Sequence, residues 1–259
     1  MANMLGIPKE KGGIKKLFIA PPGFRMMEAD GSQMEVRVLG ALSNDRQMIE
    51  DFRNGVDFHG AGRHRLYGRG FDKKNYTHQE VLDAKTGIFG PIYGRGADSM
   101  AKLFKCSVVA AQKIIDALWE PYPTALAFLQ SKEQEVLDEG ELISYYGRYR
   151  RWPLITPDNK LDVMHEGRNF PVSSPSSDTN LLIMLETYRN YPHDVVLPLL
   201  PVHDSILCRV REKDAEDLAI EFGRFCEKRA AELLNTDMKF EYEVTLGTSW
   251  GDQKEVHLN

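Results

Sequence analysis

Apolar and polar positions alternate along the chain in a way that predicts strands at both ends and helices between them. The pattern predicts a strand near 16–20, a turn at "PPGF", and a second strand near 25–30 that runs straight into a helix over 32–42. Ser32 and Glu35 have the S-x-x-E spacing of a capping box, in which the hydroxyl takes one free helix amide and the carboxylate reaches back to another. Successive helices are predicted over 45–53, 57–67, 78–93, 97–105, 107–119 and 122–139, with Val108, Val109, Ile115 and Leu118 near a 3.6-residue period. Short strands follow around "ELISYYGRYRRWP", then a helix over 175–191 carrying Leu181, Leu182, Leu185 and Tyr188 along one side. "VVLPLLPVHDSILCRV" is two apolar runs broken by His203, Asp204 and Ser205, the pattern of a tight hairpin with an aspartate at its bend. A helix over 212–233 and a strand over 239–246 complete the reading. With no internal repeat, these elements predict an α+β fold: one sheet interrupted by a helical insertion.

Composition narrows the class without changing this picture. The 259 residues are 42% hydrophobic and 27% charged, which excludes a disordered or collagen-like chain and allows a sizeable core. Cys106, Cys208 and Cys226 are odd in number, widely spaced and without a CxxC pair, so reduced thiols are expected. No run of about 18 apolar residues is present, and the N-terminal "MANMLGIPKEKGGIKK" lacks the apolar stretch of a signal peptide. A cytoplasmic protein with no membrane partner is expected. A formal charge of −5 argues against gripping nucleic acid by bulk charge, although two basic islands stand out. One holds Arg63, Arg65, Arg69, Lys73 and Lys74; the other holds Arg148, Arg150 and Arg151 beside aromatics. Each reads equally well as a solvated charged segment.

Two groups of residues suggest chemistry. Asp30 ends a predicted strand and Asp204 sits at a predicted hairpin bend, each flanked by apolar runs. Two such carboxylates, if they converge, repel one another, and a pair of divalent cations removes that cost; the alternative is a pair of ordinary strand-end turn aspartates. In the helix over 78–93, Lys85, Phe89 and Tyr93 fall at i, i+4 and i+8 on one face, an ammonium above two rings suited to a phosphate and a base or sugar. An amphipathic helix with a snorkelling lysine gives the same spacing. Gly87, Gly90, Gly94 and Pro91 weaken this helix, which implies that something approaches its backbone closely.

At these residues the chain resembles the family A DNA polymerases, those similar to DNA polymerase I. "EADGSQMEVRVLG" (28–40) resembles the first palm motif, usually D-Y-S-Q-I-E-L-R. "KTGIFGPIYG" (85–94) resembles the fingers motif K-x-x-x-F-G-x-x-Y-G, and "PVHDSILCRV" (201–210) resembles the last palm motif, V-H-D-E. "GVDFH" (55–59), "GRYRRWP" (147–153), the N-x-P from Asn169 to Pro171, "NMLGIP" (3–8) and the phage-like "LGTSWGD" (246–252) extend the likeness to nearly the whole chain.

The resemblance implies a palm interrupted by fingers, divided as 1–50 palm, 51–140 fingers and 141–259 palm. It implies that Asp30, Asp204 and the carbonyl of Gly31 bind two Mg2+ ions, one lowering the pKa of the primer 3′-hydroxyl and the other holding the triphosphate. Lys85 would contact the triphosphate and protonate pyrophosphate, Phe89 would lie against the incoming sugar, and His59 would approach the β- and γ-phosphates. Tyr93 and Glu35 would close the space that a ribose 2′-hydroxyl needs, a role for Glu35 beside the capping box. Arg148, Arg150, Arg151, Asn169 and His203 would contact DNA.

Several positions depart from the family pattern, among them Gly31, which stands where the first palm motif usually has tyrosine. Val81 stands where an arginine usually holds a phosphate, with His78, Arg63 or a partner's basic group as possible substitutes; Ser205 replaces the acid after the last aspartate; and Ser173 replaces a glutamine. Only 29 residues precede Asp30, which raises the expectation of a split enzyme whose exonuclease and thumb come from a second polypeptide, with a truncated gene as the competing explanation, acting on a primed DNA template and deoxynucleoside triphosphates in phage replication. A non-catalytic DNA-binding scaffold and a two-metal nuclease are the competing classes.

Overall fold

A computed structural model describes residues 13–258; the likeness at 3–8 lies outside the described residues. Contacts divide the chain into a sheet unit, comprising the residues to Met34 with those from Ser176 onward, and a helical unit, Glu35–Pro175. The divisions fall after residue 34 and residue 175.

The sheet unit holds five antiparallel strands in the order β4-β5-β1-β6-β7: β1 (Phe24–Gly31), β4 (Val196–Val202), β5 (Ser205–Arg211), β6 (Tyr242–Gly247) and β7 (Gln253–Val256). The two-residue side-chain period of β1 sends Met27 and Ala29 to one face, level with Cys208, Ile206, Leu246 and Val244 of its neighbours. Helix α9 (Ala215–Leu233) buries Ala219, Phe222, Gly223, Cys226 and Ala230. Gly223 lets it approach this face: a Cβ there would lie 2.9 Å from Val244. Met26, Glu28 and Asp30 take the opposite face, where Met26 joins Val202, Leu207 and Trp250 in a smaller cluster.

The expected strand near 16–20 is instead a 3-10 turn (Lys15–Leu17) with a single bridge from Ile19 to Ser249. Its apolar side chains are not the inner face of a sheet, since Leu17 is 76% exposed and Ile19 is 69% exposed. The segment folds over Trp250: Lys15 Nζ lies 4.1 Å from the ring centroid and Phe18 packs edge-on at 5.5 Å. Strand β7 escaped the sequence reading because "QKEV" is a polar edge strand without an apolar face.

The helical unit contains α1 (Met34–Ser43), which begins at the boundary, then α2 (Arg46–Arg53), α3 (Phe58–Tyr67), α4 (His78–Ile92), α5 (Ala97–Phe104), α6 (Val108–Trp119) and α7 (Pro123–Glu139). The hairpin β2 (Glu141–Ile143) and β3 (Tyr149–Arg151) follows. Caps explain the helix starts. Asp57, Thr77 and Ser107 accept amides at α3, α4 and α6. Buried Asp45 accepts Met48 N of α2 and, through its other oxygen, Thr124 N and Ala125 N of α7, all at 3.0 Å.

Helix α8 (Lys160–Asn190) starts well before the expected residue 175 and passes through Pro171 and Pro175. The prolines delete amide bonds to the carbonyls of Gly167 and Pro171, which argued for a later start. Packing outweighs them: Val163 and Phe170 join Val136, Leu142 and Trp152 in one apolar cluster, and Gly167 sits so close to α7 that a Cβ would meet Val136 at 2.5 Å. No helix among the described residues is long and apolar enough to cross a membrane.

Candidate active site

In the sheet unit the two singled-out aspartates come to one end of adjacent strands. Asp30 is opposite Ser205 in the β1–β5 register, and Gly31 N donates to the Asp204 carbonyl at 2.9 Å. Asp204 lies in the two-residue turn between Val202 and Ser205, where His203 adopts a φ of 53°. Positive φ at the first central residue suits a tight hairpin and is uncommon outside glycine. Burial pushes the Asp204 carboxyl above its ordinary pKa, opposed by a hydrogen bond from Ser176 Oγ at 3.2 Å and by the neighbouring His203.

Two carboxylates and a peptide carbonyl are hard-oxygen donors of the kind that suits Mg2+, an ion that keeps several waters when bound. A cation there would also relieve the desolvation of Asp204. Among the described residues no three acidic, histidine or cysteine side chains stand close enough to hold an ion by themselves.

In the helical unit, Lys85, Phe89 and Tyr93 share one face of α4 and its C-cap. Lys85 Nζ is 5.8 Å from the Phe89 centroid, and the Phe89 and Tyr93 rings are 6.3 Å apart. The Tyr93 hydroxyl donates to Glu35 Oε2 at 2.7 Å. Because α1 begins at Met34, Glu35 falls in its first turn, one place earlier than the third helical position of a capping box. A cavity of about 750 Å³ beside this face is lined by Lys85, Phe89, Tyr93, Arg95, Leu103 and His165 among others, a size suited to a small ligand. Arg95 and His165 were missed by the sequence reading: Arg95 lies just past the helix, and His165 belongs to the part of α8 that was not expected to be helical.

His59 packs on Phe89 with centroids 5.3 Å apart. Burial lowers its pKa to about 4, with nearby Lys85 and Arg63 adding and Asp57 opposing, so the ring is neutral at pH 7. Its Nδ1 is buried without a hydrogen-bond partner.

The glycines of α4 have a different cause from the close ligand approach expected. A Cβ on Gly87 would lie 2.4 Å from Leu118 of α6, and one on Gly90 would lie 2.7 Å from Met100 of α5. They face other helices, while Lys85 and Tyr93 are exposed. Pro91 cannot bond the Gly87 carbonyl, and Trp119 Nε1 takes it instead at 3.2 Å.

Much of the first basic island is structural. Arg63 is only 4% exposed and donates to Asp57 at 3.1 Å and to the Phe71 carbonyl at 3.2 Å, which removes it as a substitute for the arginine lost at Val81. Arg65 holds the Tyr122 hydroxyl at 2.8 Å and Arg69 pairs with Glu80. In the second island Arg150 pairs with Glu166 at 2.6 Å and Arg151 with Glu141 at 2.9 Å, and the Arg148 backbone N donates to Ser144 Oγ at 3.1 Å. Asn169 has a buried, unpartnered side-chain nitrogen.

Comparison with known proteins agrees with this fold and these motifs. The POL domain of Pol1 from M. smegmatis, solved as a complex with DNA primer-template and dNTP, superposes with a TM-score of 0.81 at 22% identity, covering 96% of this chain and 44% of that one. The family model for DNA polymerase family A matches residues 2–252, and the chain belongs to that family. Relatives include DNA polymerase I of Chloroflexus aurantiacus, 28% identical over 84% of this chain, and that of Helicobacter pylori, 30% identical over 82%. The DNA polymerase of Mycobacterium phage D29 is 29% identical over 89% of this chain. The chain spans 24% of the length of the first two relatives and 36% of the phage enzyme.

Proposed function

We propose that this chain carries the nucleotidyl-transfer centre of a DNA polymerase, adding deoxynucleotides to a primer 3′-hydroxyl. The observation that carries this reading is the register that brings Asp30 and the Asp204 turn to one end of adjacent strands. The sheet unit acts as palm and the helical unit as fingers. Asp30, Asp204 and the Gly31 carbonyl hold two Mg2+ ions, which supply charge stabilisation and activate the attacking hydroxyl. The chain's own residues do the remainder. Lys85 holds the triphosphate and gives a proton to the departing pyrophosphate, and Phe89 lies against the sugar. The hydrogen-bonded Tyr93 and Glu35 fill the space of a ribose 2′-hydroxyl, and neutral His59 offers a ring hydrogen bond to the phosphates without adding charge. Arg148, Arg150, Arg151, Asn169 and His203 contact template and primer.

A second polypeptide supplies exonuclease and thumb, in a phage replication system working in the host cytoplasm. The phage relative favours the phage setting. A non-catalytic DNA-binding scaffold is favoured by Val81 and Ser205, each of which removes a charged group from its family motif.

Primer extension with Mg2+ separates these readings. Wild type should extend the primer, with Asp204→Ala reducing the rate by about 100-fold or more, the scale of losing an electrostatic group aimed at the transition state. DNA binding without extension, in the presence of the co-expressed partner, would support the scaffold; product shortening would indicate a nuclease.

A further inference from the structure

Position 205 lacks the acid of its motif, and position 28 carries one. Ser205, on β5 directly opposite Asp30, carries only a hydroxyl, while Glu28, two residues before Asp30 on the same face of β1, carries a carboxylate. The two side chains meet: Ser205 Oγ donates to Glu28 Oε1 at 2.7 Å. The Glu28 carboxylate therefore occupies the volume that a longer acidic side chain at 205 would enter. Its other oxygen accepts Trp250 Nε1 at 3.1 Å and, with the Gln253 amide turned to donate, Gln253 at 3.2 Å. All three donors are neutral, so none of these contacts places a protein cation on the half-buried carboxylate at the Asp30–Asp204 end of the sheet.

We infer that Glu28 is the third acidic group of this site, supplying from β1 the charge that position 205 lacks. It is a positioning residue. It acts through water held by a bound cation rather than as a direct ligand, in keeping with the absence of a three-carboxylate cage among the described residues. This inference rests on the proposed metal-dependent reading of Asp30 and Asp204.

The test is Mn2+ binding to the full chain, read from the electron paramagnetic resonance signal of free Mn2+, with circular dichroism to monitor folding. Wild type should bind Mn2+ and Asp204→Asn should lose it. Glu28→Gln should weaken binding by about 10- to 100-fold, the usual range for a group in the outer shell of a metal site. The exchange variant Glu28→Ser/Ser205→Glu should return affinity to within about threefold of wild type. The exchange discriminates because a serine at 28 cannot reach Trp250: a purely structural tie would stay broken, whereas the charge would be back.

Should Glu28→Gln fail to fold, the exchange and Ser205→Ala carry the test; the latter keeps the charge and should hold Mn2+ nearly as wild type does. Wild-type affinity in Glu28→Gln, no recovery in the exchange, or a Ser205→Ala loss as large as that of Glu28→Gln would each overturn the inference while leaving the metal reading intact. Absence of Mn2+ binding in wild type would overturn both.

Discussion

Single residues in the helical unit carry opposite signs of risk. His59 is held neutral by burial, with its folded pKa lowered to about 4 from an ordinary 6.5. The unfolded chain therefore binds the proton more readily, so the stability this ring contributes is complete above pH 6.5 and is lost as pH falls toward 4. The full loss amounts to about 3 kcal/mol at most, and His59→Phe should flatten the stability–pH curve in that window when urea midpoints are compared. Asp45 works the other way, as a buried acceptor for amides of two helices. Asp45→Ala leaves three amides unpaired and should cost about 2–4 kcal/mol in the same assay. At the proposed sugar gate, Glu35→Ala removes the acceptor of Tyr93 and opens space. Ribonucleotide incorporation relative to deoxynucleotide should rise at least about tenfold in single-nucleotide extension, the discrimination a pocket loses with one contact.

At the scale of elements, α4 shows what local pattern can and cannot reveal. Its exposed lysine and aromatic face was legible from the four-residue spacing. The cause of its glycines was not, because it lies in α5 and α6, whose side chains fill the space beside Gly87 and Gly90. Gly87→Ala should destabilise the chain by about 1–3 kcal/mol through overpacking against Leu118, measured by thermal unfolding, despite the higher helix propensity of alanine. The start of α8 was hidden for a related reason: prolines are local, whereas the cluster of Val163, Phe170 and Trp152 that overrides them forms only in three dimensions. The hairpin around Asp204 was readable because its apolar runs and polar bend are adjacent in sequence. Glu28 was not, since its meeting with Ser205 depends on cross-strand register that an unpaired strand does not disclose.

For the whole molecule, family membership rests on the family-model match over residues 2–252, and a fold shared over nearly the entire chain accompanies it. An acidic chain with a net charge of −5 that engages DNA must do so through a few local cations. If Arg148, Arg150 and Arg151 contact phosphates, replacing all three with alanine should reduce the slope of log affinity against log salt by up to about 3, measured by fluorescence anisotropy on a primed template. An unchanged slope would leave them to their ion pairs with Glu166 and Glu141. The account as a whole depends on Asp30 and Asp204 sharing divalent cations. Anomalous diffraction from crystals soaked in Mn2+ addresses this directly: two peaks about 4 Å apart, bonded to both carboxylates, are expected. Manganese bound elsewhere while these carboxylates hold none would contradict it.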